Sequence, residues 1–112
     1  MARVCFKNFS FPGHTEFLKH KFNAEDVLML MVSENMKVGV VTGHIALKNV
    51  ASKITEDLLL QKLRILHKSL IEDFNIIKPK IAVLGLNPHS GDNGLIGQEE
   101  IEIIIPAMKK AE

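Results

Sequence analysis

Histidine is the residue type with the clearest chemical potential in this sequence, because a neutral imidazole binds divalent cations and titrates near neutral pH. His44 lies just past an apolar, strand-like run that ends at Thr42, and His89 just past another that ends at Leu86. Loops at the carboxyl ends of strands in an open α/β sheet are where ligands usually bind. The two residues are therefore candidate ligands of one shared cation, although catalytic zinc sites typically use three protein ligands. The alternative is that both are ordinary surface or supporting residues, and spacing alone favours that alternative.

A second candidate site is the segment Phe11–Phe17, in which Pro12-Gly13 predicts a turn. After the turn, His14 offers a switchable hydrogen-bond donor or acceptor beside the hydroxyl of Thr15. The other interpretation is that Thr15 caps a short helix starting at Glu16 and that His14 is merely exposed. From the residues alone we favour this second interpretation.

The remaining chemical candidates are weaker. His67 falls within a predicted helix and is interpreted as structural, and His20 lies between two lysines as a solvated residue. The glycine-rich loop at 87–97 offers backbone N–H groups to an anion, but it lacks the lysine and the spacing of a phosphate-binding loop.

Strand-like and helix-like stretches alternate along the chain, which predicts an α/β layer fold. Two apolar runs, 27–32 and 38–42, flank the polar turn 33–37 and are expected to pair as a hairpin or as neighbours in one sheet. Residues 55–74 repeat leucines at helical spacing after the potential N-cap Thr55. Residues 80–86 predict another strand, and residues 87–97 an irregular loop. A final helix from about Gln98 is expected to be kinked or shortened by Pro106 and to turn these residues inward: Ile101, Ile104, Ile105 and Met108.

Composition narrows the class of protein. The 112 residues are 46% hydrophobic and 24% charged with a net charge of +1, which suits one small globular domain and argues against nucleic acid or an anionic membrane as partner. The single cysteine, Cys5, cannot form an internal disulfide, and no apolar run approaches a membrane span. We therefore expect a soluble, cytoplasmic protein. Five of the six phenylalanines fall in the first 25 residues, where they need a packing partner.

Three motifs in a fixed order resemble the 4-hydroxythreonine-4-phosphate dehydrogenase family. They are Gly13-His14-Thr15-Glu16, the segment Thr42-Gly43-His44-Ile45-Ala46-Leu47-Lys48, and Gly85-Leu86-Asn87-Pro88-His89-Ser90-Gly91-Asp92. The later Gly97-Gln98-Glu99-Glu100-Ile101 and Ile104-Ile105-Pro106 are similar to the same family. The resemblance extends from Phe11 to the end and makes Pro106 an ordinary family feature.

The resemblance implies an NAD-dependent oxidoreductase of vitamin B6 (pyridoxine and pyridoxal phosphate) biosynthesis. Such an enzyme oxidises the CH–OH group of 4-phosphooxy-L-threonine, and the resulting keto acid then loses carbon dioxide. Metal ligands at His44 and His89 for a divalent ion (Zn, Mg or Co) and substrate-binding residues at His14 and Thr15 are implied, with no catalytic residue assigned apart from the metal site. The implied partners are the phosphorylated hydroxy amino acid and a second subunit, in a homodimer with a shared active site.

The implied fold is a fragment of an isocitrate/isopropylmalate-dehydrogenase-like three-layer α/β/α fold, with a mixed sheet and flanking helices. Residues 1–112 are expected to form a single partial domain, the central segment of the enzyme, and to be inactive alone. The family's third metal-binding histidine belongs to a later His-Asp-Gln motif that this sequence lacks. Within the matched region the sequence departs from the family at Gly43, Ala46 and Asn49. A non-catalytic self-assembly or interaction module derived from the enzyme is the alternative.

Overall fold

A computed structural model describes residues 11–112, which contain one long helix, several shorter helices and one β-hairpin. The predicted contacts of Phe6 and Phe9 lie outside the described residues. In chain order the α-helices and strands are α1 (His14–Lys21), β1 (Met29–Val32), β2 (Lys37–Val40), α2 (Val50–Lys53), α3 (Glu56–Glu72) and α4 (Ile105–Ala111). Tighter or wider helical turns cover Leu47–Asn49, Pro88–Gly94 and Glu100–Ile104.

The hairpin confirms the predicted pairing of the two apolar runs. Strands β1 and β2 are antiparallel, with Met29 opposite Val40 and Val32 opposite Lys37. The turn is closed by Ser33, whose N–H donates to the Met36 carbonyl at 2.8 Å and whose Oγ accepts from the Met36 N–H at 3.1 Å. The loop carrying His44 therefore begins at the end of a defined strand.

Helix α3 is the structural centre of the described residues. Thr55 is its N-cap, as predicted, and its Oγ1 accepts a hydrogen bond from Leu58 N at 3.2 Å. Glu56 and Asp57 add negative charge to the first turn, where it suits the helix dipole. The leucine stripe faces inward, and the core cluster is formed by Ile54, Leu59, Ile104 and Ala107.

A largely enclosed ion pair joins α3 to the residues before the hairpin. The ammonium of Lys62 donates to Asp26 Oδ2 and to the Val27 carbonyl, both at 2.6 Å. Burial alone would raise the pKa of Asp26, but the hydrogen bonds from Lys62 and from the Val27 N–H, with the nearby positive charges, outweigh it and lower that pKa. The hairpin is thus tied to the helix by a polar contact as well as by apolar packing.

The strand predicted at 80–86 is wrong for the described residues, because this segment is neither helix nor strand in the structure. Ile81 and Val83 are half-buried while Ala82 and Leu84 are exposed, which is the alternation expected of a strand. No strand pairs with this segment in residues 11–112, where the sheet consists of β1 and β2 alone. The residues alternate in burial as a strand would, but a strand also requires a neighbouring strand to pair with, and this segment has none in residues 11–112.

The last helix buries a different set of side chains from the set that the sequence predicts. A π-helical turn, Glu100–Ile104, precedes α4 and places Pro106 at the start of the α-helix, where a missing N–H is tolerated. Ile104 is buried as predicted, but Ile101, Ile105 and Met108 are 36–47% exposed. The inward prediction for these three is wrong, because the buried face of this segment carries Glu100, Ile104 and Ala107 instead.

Across residues 11–112, none of the helices combines the length and the apolar character needed to cross a membrane.

Candidate functional site

The first motif forms the start of α1. Gly13 is the N-cap in an extended conformation, with φ −166° and ψ 178°, and the helix begins at His14. The expectation that Thr15 caps a helix beginning at Glu16 is wrong, because no side chain caps this helix and Thr15 lies inside its first turn. His14 is exposed and Thr15 is half-buried. Both residues lie at the start of α1, beside the loop that carries His44.

His44, in the loop after β2, contacts α1 through Glu16. His44 Nδ1 lies 3.1 Å from Glu16 Oε1, and the two residues are 28 positions apart in the sequence. This hydrogen bond is the main cause of the lowered pKa of Glu16. The contact brings the His14-Thr15 motif and His44 into one place.

Gly13 makes this close approach possible. A Cβ atom built on Gly13 would lie 2.7 Å from His44 Cε1 and 3.0 Å from Glu16 Oε2. The second carboxylate oxygen, Oε2, is enclosed and has no hydrogen-bond partner among the described residues. The glycine backbone, the imidazole and the carboxylate therefore form one packed unit, the His44 unit.

His89 lies in an ordered turn, not in the irregular loop that the composition predicts. Positive φ angles of 44–80° run without interruption from His89 to Asn93, so the turn is left-handed. Left-handed backbone is unfavourable for residues with a side chain, and surrounding contacts must therefore hold it. Gly91 is buried, and a Cβ there would approach the Gly97 carbonyl oxygen to 2.7 Å.

The buried carboxylate of Glu100 fixes the entry to this turn. Its Oε1 accepts hydrogen bonds from the N–H groups of Leu86 and Asn87 at 2.8 and 2.7 Å, and its Oε2 accepts from Asn87 Nδ2 at 2.9 Å. The Asn87 side chain and these N–H groups hold the pKa of Glu100 below its usual value, against the opposing effect of burial. The same Asn87 amide also donates to Glu99 at 2.7 Å.

The structure thus joins the first motif to His44 and places His89 in a separate, well-braced turn. No hydrogen bond or ion pair links His44 to His89 within residues 11–112. The described part of the chain contains no group of three or more His, Cys, Asp or Glu side chains able to hold a metal ion. The sequence-based assignment of a shared cation stays a prediction.

The other histidines occupy ordinary positions. His20 is exposed and lies against the Phe11 ring at 5.2 Å between centroids, and His67 is exposed on α3. Sequence reasoning missed the roles of Glu16 and Glu100. Glu16 could have been noticed because it belongs to the first motif, but no neighbouring residue indicated its contact with His44. No feature of the sequence marked Glu100, because a glutamate in a helical pattern is normally solvated.

Solved structures with the same fold are dehydrogenases. A 4-hydroxythreonine-4-phosphate dehydrogenase from Klebsiella pneumoniae superimposes with a TM-score of 0.81 at 35% identity, covering 90% of this chain and 30% of that one. One from Burkholderia phymatum gives 0.79 at 37% identity, covering 93% and 32%. The chain therefore has the α/β fold of these oxidoreductases, and the predicted fold class is confirmed.

The family follows from the sequence itself. Residues 3–112 match the family model of the pyridoxal phosphate biosynthetic protein PdxA, and the chain belongs to this family. A 4-hydroxythreonine-4-phosphate dehydrogenase from Bacteroides thetaiotaomicron is 50% identical over 107 residues, and one from Sulfurihydrogenibium sp. is 46% identical over 106. The chain spans 29% and 33% of the length of these two relatives.

Proposed function

We propose that this chain supplies the metal-binding and substrate-contacting part of a 4-hydroxythreonine-4-phosphate dehydrogenase of pyridoxine and pyridoxal phosphate biosynthesis. The supporting observation is the His44 unit, which places the first motif of the family next to the first proposed metal ligand. The reaction is the NAD-dependent oxidation of 4-phosphooxy-L-threonine, followed by decarboxylation. We place it in the cytoplasm, and the lone Cys5 suits a reducing compartment.

The residues present suit a divalent cation. Histidines that bind metals usually donate their other ring N–H to a carboxylate or a carbonyl, and Glu16 offers His44 such an acceptor. Imidazole nitrogen is a preferred ligand of zinc and cobalt, whereas magnesium prefers oxygen. His44 and His89 would hold the cation, which supplies Lewis acidity toward the substrate hydroxyl and the later carbanion when bound.

His14 and Thr15 have the complementary task of orienting the substrate. An imidazole and a hydroxyl at the start of a helix offer hydrogen bonds to a phosphorylated hydroxy amino acid, and the N-terminal end of the helix favours its negative charge. Fixing the substrate by such bonds removes its rotational freedom before the reaction. NAD, when bound, would accept the hydride removed from the substrate hydroxyl carbon.

Zinc binding tests the ligand assignment. Isothermal titration of the 112-residue chain with Zn²⁺ is expected to show binding that weakens in His44→Ala and in His89→Ala. The matched control is His67→Ala, which removes an exposed histidine of α3 and should bind as the wild type does. Equal affinity in all four proteins would overturn the assignment.

The chain alone is expected to form no NADH from substrate and NAD, since it spans about 30% of the length of its relatives.

Self-association, with a homodimer as the expected assembly, is a second candidate role. Large apolar side chains are strongly exposed at Ile77 (89%), Leu84 (82%) and Leu95 (83%). Exposed apolar surface of this kind marks interaction sites. A self-assembling chain would dimerise whether or not His44 and His89 are present, which separates this role from metal binding.

A further inference from the structure

We propose that Glu16 is a positioning residue that holds the His44 imidazole with its proton on Nδ1 and so presents Nε2 to the cation. The cation itself rests on the proposed function. The orientation of the ring rests on the geometry of the His44 unit alone.

The first step is the direction of the hydrogen bond. An ionised carboxylate only accepts hydrogen bonds, so a neutral imidazole whose Nδ1 lies 3.1 Å from Glu16 Oε1 must carry its proton on that nitrogen. The lone pair of the neutral ring is then on Nε2. Since the lone pair binds a metal, Glu16 selects which of the two nitrogens of His44 is the ligand.

The second step is that the contact is held from more than one side. The Gly13 backbone lies against both partners, since a Cβ there would meet His44 Cε1 at 2.7 Å and Glu16 Oε2 at 3.0 Å. Oε2 is itself enclosed. The carboxylate is therefore wedged between the start of α1 and the ring, which limits its rotation away from His44.

The third step is the connection that this contact makes. Glu16 lies in the first turn of α1, directly after His14 and Thr15, while His44 belongs to the loop after β2. A single side chain thus sets the distance between the proposed substrate-contacting pair and the proposed metal ligand. Loss of Glu16 should loosen both relative to each other.

A plain surface ion pair is the competing explanation. The side chains of His44 and Glu16 are 55% and 35% exposed, and exposed ion pairs contribute little to stability. Such a pair would leave the neutral ring free to carry its proton on Nε2, the position that free histidine favours. The two explanations therefore differ in the tautomer of the neutral ring and in the consequence for zinc.

The experiment uses the ¹⁵N-labelled 112-residue chain without metal, at a pH well above the ordinary histidine value of about 6.5. Long-range ¹H–¹⁵N correlation spectra, assigned with His44→Ala, report which ring nitrogen of His44 is protonated. We expect Nδ1 in the wild type and a shift toward Nε2 in Glu16→Ala. Alanine is a strong helix former, so α1 should persist. Glu25→Ala is the matched control, because it removes an exposed acid that makes no contact with His44.

The same proteins are then titrated with Zn²⁺. Loss of a carboxylate behind a ligand histidine typically weakens metal binding about 10- to 100-fold, and we expect this in Glu16→Ala but not in Glu25→Ala. A wild-type ring protonated on Nε2, or a zinc affinity in Glu16→Ala equal to that in Glu25→Ala, would overturn the proposal. If the wild type binds no zinc, the proposed function fails, and the spectra alone decide whether Glu16 fixes the ring.

Discussion

At the scale of single residues, Glu100 shows how a buried charge can shape a loop. It is only 3% exposed, yet both carboxylate oxygens accept hydrogen bonds, from the backbone N–H groups of Leu86 and Asn87 and from the Asn87 amide. Buried polar groups are expensive unless they are paired in this way. The left-handed turn that carries His89 starts from the residues that Glu100 holds, so this carboxylate determines where His89 lies.

Replacing Glu100 by Gln should loosen that turn. A glutamine amide would place donors against the donor groups of Leu86 and Asn87, and one of these contacts would be lost. We expect a lower melting temperature and faster amide hydrogen exchange at both residues, measured by NMR. Glu102→Gln makes the same chemical change at an exposed position of the π-helical turn that also contains Glu100, and it should leave amide exchange at Leu86 and Asn87 unchanged.

Stability should also depend on pH through Glu100. Its pKa is lowered from 4.5 by the hydrogen bonds from Asn87 and the backbone, so the unfolded state binds a proton more readily than the folded state. The stabilisation is fully present above the unfolded pKa and is lost as pH falls through the lower folded value. Thermal unfolding followed from neutral to acidic pH should show this loss in the wild type and a smaller one in Glu100→Gln. Identical pH profiles of thermal unfolding in the wild type and in Glu100→Gln would contradict this role of Glu100.

Gly13 offers a second test at this scale. Gly13→Ala would place a methyl group 2.7 Å from His44 Cε1, which is closer than carbon atoms can pack, and the ring must move. We expect weaker zinc binding with little change in unfolding temperature, because φ is −166° and any residue adopts such an extended backbone. Ala51→Ser, an exposed small-residue change on α2, should leave zinc affinity intact. Unaltered affinity in Gly13→Ala would show that the ring has room to move without consequence.

At the scale of elements, local patterns predicted local structure well. The hairpin and α3 follow from apolar runs, a polar turn and an N-cap, all of which act over a few residues. The pattern at 80–86 predicted a strand that is absent from residues 11–112, since strand pairing is non-local and the pattern does not reveal whether a partner is there. The inward positions predicted for the last helix failed because its buried face includes Glu100 and Ala107, and the spacing of the isoleucines signals neither. The contact of Glu16 with His44 spans 28 positions and was beyond any local rule.

The Lys62–Asp26 contact carries a prediction about how the elements hold together. Lys62→Met removes the donor to Asp26 and Val27 and leaves a carboxylate that is only 14% exposed without its main partner. We expect the free energy of unfolding in urea to fall by about 1.5–3 kcal/mol, the usual contribution of a hydrogen bond to a charged group. Lys68→Met, which breaks an exposed i,i+4 pair with Glu72, should cost at most about 0.5 kcal/mol.

The double variant Asp26→Asn with Lys62→Met provides the check. Removing both charges should recover part of the lost stability, since an unpaired buried charge is more costly than no charge. Equal losses in Lys62→Met and Lys68→Met would show that the contact contributes no more than a surface pair.

At the scale of the whole molecule, the chain exposes more surface than its mass predicts. Its accessible area is 9216 Å², against roughly 6200 Å² for a compact monomer of this mass. The core cluster has only four buried members, and no strand pairs with segment 80–86 in residues 11–112. Unpaired strand-like backbone beside apolar side chains is a ready template for pairing with another chain.

Self-association should follow from this exposed segment. We expect sedimentation velocity of the wild type to give a mass that rises above 12.5 kDa with concentration. Leu84→Lys adds a charge where the 82% exposed side chain faces away from the core, and it should shift the population toward monomer. Gln61→Lys adds the same charge at an exposed position of α3 and should have no such effect. A wild type that stays monomeric at every concentration would mean that the segment is protected in solution, and pairing between copies would then play no part in the behaviour of this chain.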